Sequence, residues 1–132
     1  MRGVRTFIAT ISILTVGIAS ADEIKTMSAF DYLVGFDEFI GKTVEINDCV
    51  AYGVNTDFFL CSVETETGNA GTINIRLKDT PKKQLIYGLK KCASIMGTEA
   101  DICTATIVGE ADKTIDGGAR LNAKEITWHS EK

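Results

Sequence analysis

The sequence has one histidine, one proline and one tryptophan in 132 residues, and no two cysteines stand two residues apart. Each scarcity removes a class of function. A hydrolytic triad needs a nucleophile, a base and an orienting acid within hydrogen-bond reach. Nothing brings a nucleophile to the single histidine, His129, which is expected to be an exposed residue following Trp128. Without a Cys-x-x-Cys pair there is no thioredoxin-like redox motif. With His129 far from every cysteine, closely spaced zinc ligands are also missing. Glu64 and Glu66 are expected to be solvated loop carboxylates. Asp112 and Asp116 do not complete an alternating calcium loop, and Asp116-Gly117-Gly118 instead suits a hairpin turn. A non-enzyme without cofactor or metal is the expectation.

What is present starts with the first residues, MRGVRTFIATISILTVGIASADE. Arg2 and Arg5 precede an apolar run from Phe7 to Ala19, and Ala19-Ser20-Ala21 offers small residues for a signal peptidase. The run is about 13 residues, short of the roughly 20 needed to cross a bilayer. Residues 1–21 are therefore expected to be a signal peptide cleaved before Asp22. The mature chain is expected in the periplasm or secreted, with no membrane association after cleavage.

Export makes disulfides the default for Cys49, Cys61, Cys92 and Cys103. Four cysteines allow three pairings. Strand-like residues flank Gly53-Val54-Asn55-Thr56-Asp57, and a hairpin centred on Asn55 sets Cys49 opposite Cys61. Directly opposed side chains suit a disulfide. Cys92 and Cys103 then bracket a loop after a helix. Cys49–Cys103 with Cys61–Cys92 is the competing pairing, since the first and fourth strands of a barrel can be neighbours.

Loss of the leader removes Arg2 and Arg5, leaving 12 basic against 18 acidic residues, a charge of about −6. An acidic chain is poorly suited to general nucleic-acid or anionic-membrane binding. No repeat or linker is visible, so one domain is expected. Residues 22–40 form an N-terminal helical segment, with Ser28 as N-cap and Asp31 at the third position. The first strand runs from Lys42 to Tyr52. Its alternation turns Cys49 away from Val44 and Ile46, unless a bulge near Asn47-Asp48 resets it. Phe58–Val63 and Thr72–Leu77 follow, joined by a polar loop, ETETGNAG. Thr80 is expected to cap a helix starting at Pro81, with Leu85, Ile86, Leu89 and Cys92 buried. Strands Ile102–Glu110 and Arg120–Trp128 complete the pattern.

Three strands, a helix and two strands is the order of a five-stranded OB-fold barrel, assigned here to residues 41–132. The runs FIGKTVEINDCVAYG, GTINIRL and TIVGEADKTIDGGARLNAKEI resemble exported bacterial OB-fold proteins of the BOF type. The likeness covers about Gly41 to Ile126. It departs from the family in its four cysteines and longer helix. It implies a periplasmic domain linked to stress tolerance, with no catalytic residues to carry over.

OB-folds bind oligomers on the face of their second and third strands. Tyr52, Phe58, Phe59, Asn74 and Arg76 are the candidate ligand face, and only one of the two phenylalanines can face the core. An exposed aromatic among polar groups suits stacking. The plainer expectation is that Phe30, Phe36 and Phe39 cover it. Together these features describe a monomeric, exported binding module for a protein or oligomeric ligand. The alternatives are an oligosaccharide- or nucleic-acid-binding protein and a cation-binding stress protein.

Overall fold

Val, Ile, Thr and Phe alternate with polar residues along most of the chain. The computed structural model, which describes residues 23–131, turns this alternation into a closed barrel. The leader expected at residues 1–21 lies outside the described residues. The strands are β1 Lys25–Met27, β2 Thr43–Tyr52, β3 Phe58–Thr65, β4 Gly68–Arg76, β5 Thr104–Lys113 and β6 Ala119–Trp128. They hydrogen-bond in the order β1-β2-β3-β4-β6-β5, and β5 returns to pair with β2. In the barrel only β4 and β6 run parallel. The five strands β2 to β6 form an OB-fold.

The alternation breaks once in β2, where the structure decides the question of Cys49. Ile46 faces Ile107 and Cys49 faces Ala105, so three steps along β2 match two along β5. Asn47 and Asp48 are the bulge and are exposed. Val44 and Ile46 point inward before it, and Cys49 and Ala51 after it, all buried. Val50 and Tyr52 consequently turn outward.

The bulge also docks the N-terminal segment. Asp48 Oδ1 accepts the Ala29 N–H at 2.6 Å, at the start of helix α1, Ala29–Gly35. Ser28 caps α1 as expected, its Oγ accepting from the Asp31 N–H at 3.0 Å. Tyr32 is buried with its hydroxyl donating to the Arg120 carbonyl at 2.6 Å. Leu33 lies over Gly71, whose φ of +152° and lack of a side chain permit the approach. The segment is not purely helical, because β1 adds a parallel strand along Val44–Ile46. Those residues follow the short connection from α1, a tertiary pairing with no local signature.

A second helical stretch packs at the far end of β6. It comprises a 3₁₀ turn, Lys82–Leu85, and helix α2, Ile86–Lys91. Trp128 stacks between Phe59 and Tyr87, with ring centroids 5.7 and 5.6 Å away. A Cβ on Gly88 would meet Trp128 Cη2 at 2.7 Å, so the indole occupies the space a side chain would need. Two expectations fail here. Thr80 does not cap the helix; its hydroxyl is buried and donates to the Ala123 carbonyl at 2.8 Å. Ile86 and Leu89 are exposed, and the buried stripe is Leu85, Gly88 and Cys92. Gly88 presents bare backbone to the indole, which rotates the helix away from an all-leucine contact.

Other boundaries shift for local reasons. ETETGNAG is exposed as expected, but the strands run through most of it as a tight hairpin, with β3 reaching Thr65 and β4 starting at Gly68. Ile102 and Cys103 belong to a short helix, α3 Ala100–Cys103. Between β2 and β3, Cys61 faces Ala51 rather than Cys49, so the turn is centred on Thr56. Asn55 sets that register by accepting the Asp57 and Phe58 N–H groups on Oδ1, at 2.8 and 3.0 Å.

Cys49 is nevertheless bonded to Cys61, and Cys92 to Cys103, with Cα separations of 5.2 and 5.8 Å. The bulge lets the two diagonal residues meet. Each bridge closes a short loop and contributes about 3 kcal/mol by restricting the unfolded chain. Replacing Cys49 and Cys61 together by Ser is expected to lower unfolding free energy by about 2–4 kcal/mol in urea titrations. Non-reducing peptide mapping is expected to link Cys49 to Cys61; a Cys49–Cys103 peptide would overturn the bulge register.

Candidate ligand-binding face

The strand registers place outward side chains in two rows across four strands. Phe58 faces Arg76, Arg76 faces Asn122, and Asn122 faces Glu110. One step along, Leu60 faces Asn74, Asn74 faces Arg120, and Arg120 faces Asp112. Neighbouring strands are about 4.8 Å apart, so each row spans about 14 Å.

An open cleft of about 620 Å³ lies over the β3–β4 end of these rows. Phe58, Asn74 and Arg76 line it together with Thr56 from the loop before β3 and Thr114 from the loop before β6. Phe58 is 37% exposed, whereas Phe59 is fully buried in the core against Trp128. The expected cover is absent: no residue of the N-terminal segment lines this cleft. Phe36 turns instead toward Tyr32, at 6.1 Å between ring centroids, because α1 is anchored at the bulge. Tyr52 faces Leu60 in the same outward row but borders a separate cleft of about 390 Å³ with Ile95 and Met96. Three of the five expected residues therefore converge, and Phe59 and Tyr52 do not join them.

The cleft is cationic on an acidic chain. Arg76, Lys78, Lys82 and Arg120 border it, with Asp57 the one carboxylate. Arg120 is held in place: its Nη2 and Nε reach Asp112 Oδ2 at 2.9 and 3.2 Å. Asn122 Nδ2 donates to the same oxygen at 3.0 Å. Arg76, Lys78 and Lys82 form no salt bridge among the described residues. Asn74 Oδ1 is buried with no hydrogen-bond partner among them. An orphaned buried acceptor costs about 1–3 kcal/mol, and a hydroxyl or amine placed there would relieve it.

Burial alone would raise the Asp112 carboxyl. The Asn122, Lys113 N–H and Arg120 hydrogen bonds, with the Arg120 charge, outweigh this and hold it below the usual carboxylate range. Burial likewise keeps the Tyr32 phenol neutral, well above its ordinary range. His129 is exposed, with Nε2 2.8 Å from Thr106 Oγ1. Asp116 accepts from the Thr114 hydroxyl within the turn, where Gly117 has φ +92°.

No known family model matches the chain, and no curated protein matches it significantly. Solved structures do share its shape. Asparaginyl-tRNA synthetase from Pyrococcus horikoshii aligns at TM-score 0.51 and 15% identity, over 81% of this chain and 23% of that one. The hypothetical protein ygiW from E. coli aligns at TM-score 0.44 and 16% identity, over 82% and 91%. At such identities the likeness concerns the fold alone. It is an OB-fold.

Lys78, Lys82, Thr56, Thr114 and Arg120 were not among the expected face residues. Arg120 follows from the i, i+2 alternation of β6 once that strand is paired with β4, but that parallel pairing is non-local.

A depressed carboxyl stabilises the fold above its unfolded value, 3.8, and that stabilisation is lost as pH falls through the lower folded value. Asp112→Asn is therefore expected to shrink the fall in melting temperature between about pH 5 and about pH 2. Glu64 and Asp116, also held low by local hydrogen bonds, keep the fall from vanishing. Identical acid limbs in the two proteins would contradict the assignment.

Proposed function

We propose that the protein is an exported, monomeric, non-enzymatic module that holds an oligomeric ligand on the outer face of β3 and β4. The observation that carries this is the uncovered Phe58 beside Asn74 and Arg76 in an open cleft. A ring offers an apolar plane, and the adjoining amide and guanidinium supply direction. OB-folds use the same strands and flanking loops for oligonucleotides and oligosaccharides. The groups facing the cleft are cations, hydroxyls, an amide and one carboxylate, with no histidine among them, which favours binding over acid–base catalysis.

Export is supported by the leader pattern in residues 1–21, by the two disulfides and by the resemblance to BOF-type proteins. No helix among the described residues is long and apolar enough to cross a membrane. N-terminal sequencing of protein recovered from outside the cytoplasm is expected to begin at Asp22; a retained Met1 would refute the cleaved leader.

Stacking on one aromatic ring is worth about 1–3 kcal/mol. Phe58→Ala is thus expected to weaken binding of oligosaccharide or oligonucleotide probes by about fivefold to a hundredfold. Circular dichroism of the same variant should show an intact barrel. Unchanged affinity in a folded variant would remove Phe58 from the site.

A further inference from the structure

The charges around the cleft narrow the ligand further than the fold does. Resting on the face reading above, we infer that the ligand is an acidic oligosaccharide, a chain of sugars carrying carboxylates. Arg76, Lys78 and Lys82 are cations without a salt-bridge partner among the described residues, on a chain whose net charge is −4. Three unneutralised cations gathered on an acidic molecule call for an anion.

The acceptors beside them call for something more. On the other side of Arg76 and Lys78, which border both, a separate smaller cleft of about 220 Å³ is lined by Asp79 and Glu110. Asn74 Oδ1 is buried and unpartnered at the centre of the face, and Asp57 lies at the other edge. A ligand that satisfies all of these brings hydroxyl donors as well as negative charge. Single-stranded nucleic acid carries a phosphate on every residue and few hydroxyls, and is held by a continuous positive groove. Here Asp57 on one side and Asp79 and Glu110 on the other interrupt any such track.

A sugar acid matches each part. Its carboxylate reaches Arg76, a guanidinium suited to planar, two-point recognition of carboxylate. Its hydroxyls donate to Asn74 Oδ1 and Glu110. The C–H face of its ring lies on Phe58, as apolar surfaces pair with aromatic planes. Arg120 is already held by Asp112 and Asn122, so it serves as a fixed wall of the cleft.

Titration calorimetry of the purified protein tests this with three probes: an oligogalacturonate, a neutral oligogalactoside of the same length, and a single-stranded oligonucleotide. The oligogalacturonate is expected to bind most tightly and to weaken about tenfold between about 0.05 and about 0.5 M salt, as a screened charge contact does. Arg76→Ala combined with Lys82→Ala should weaken it at least tenfold while the melting temperature stays within about a degree, both sites being exposed. Three results overturn the inference: no oligogalacturonate binding, a neutral or nucleotide probe that binds as tightly, or full affinity in the double variant. The underlying reading of the face fails separately, when Phe58→Ala leaves the binding of whichever probe binds unchanged.

Discussion

One extra residue in β2 governs the rest of the structure. By setting three steps of β2 against two of β5, the bulge at Asn47–Asp48 brings Cys49 from the outer to the inner surface. There it bonds to Cys61 although the two are not directly opposed. The same irregularity turns Asp48 outward to receive the first N–H of α1. Extra residues bend a strand and sharpen its twist, which a sheet requires if its first strand is to pair with both neighbours of a barrel. Closure, disulfide and N-terminal docking thus share a cause.

Two packed elements follow from that closure, and they leave the site free. Tyr32 reaches the Arg120 carbonyl near the start of β6, while Trp128 at its other end sits against Gly88 and between Phe59 and Tyr87. Both helical segments spend their apolar surface on the two ends of this strand. Neither contributes to the cleft over Phe58 apart from Lys82, at the start of the second segment. A small domain has limited apolar area to bury, and here the disulfides supplement it.

The face itself is organised by strand register. Phe58, Arg76 and Asn74 come from β3 and β4, Arg120 from β6, and Asp112 and Glu110 from β5. Its electrostatics pass from a ring, through unpaired cations, to carboxylates across four strands, about 14 Å. The gradient exists because each strand contributes alternate residues, and because Asp112 neutralises Arg120 but reaches neither Arg76 nor Lys78.

Local chemistry was legible in the residues themselves. Alternation located the five barrel strands, Ser28 marked its helix start, and the Gly-Val-Asn-Thr-Asp stretch marked the first hairpin, although its centre lies one residue later, at Thr56. These depend on neighbours within a few positions, where propensity and hydrogen bonding act directly. The exposed member of the Phe58–Phe59 pair, the role of Thr80 and the burial of Gly88 in place of Leu89 were not legible. Each is decided by a partner far along the chain: Trp128 for Phe59 and Gly88, Ala123 for Thr80. The parallel pairing of β4 with β6, which sets Arg120 beside Asn74, belongs to the same class. A single sequence specifies which residues alternate, but only closure of the barrel specifies which of them meet.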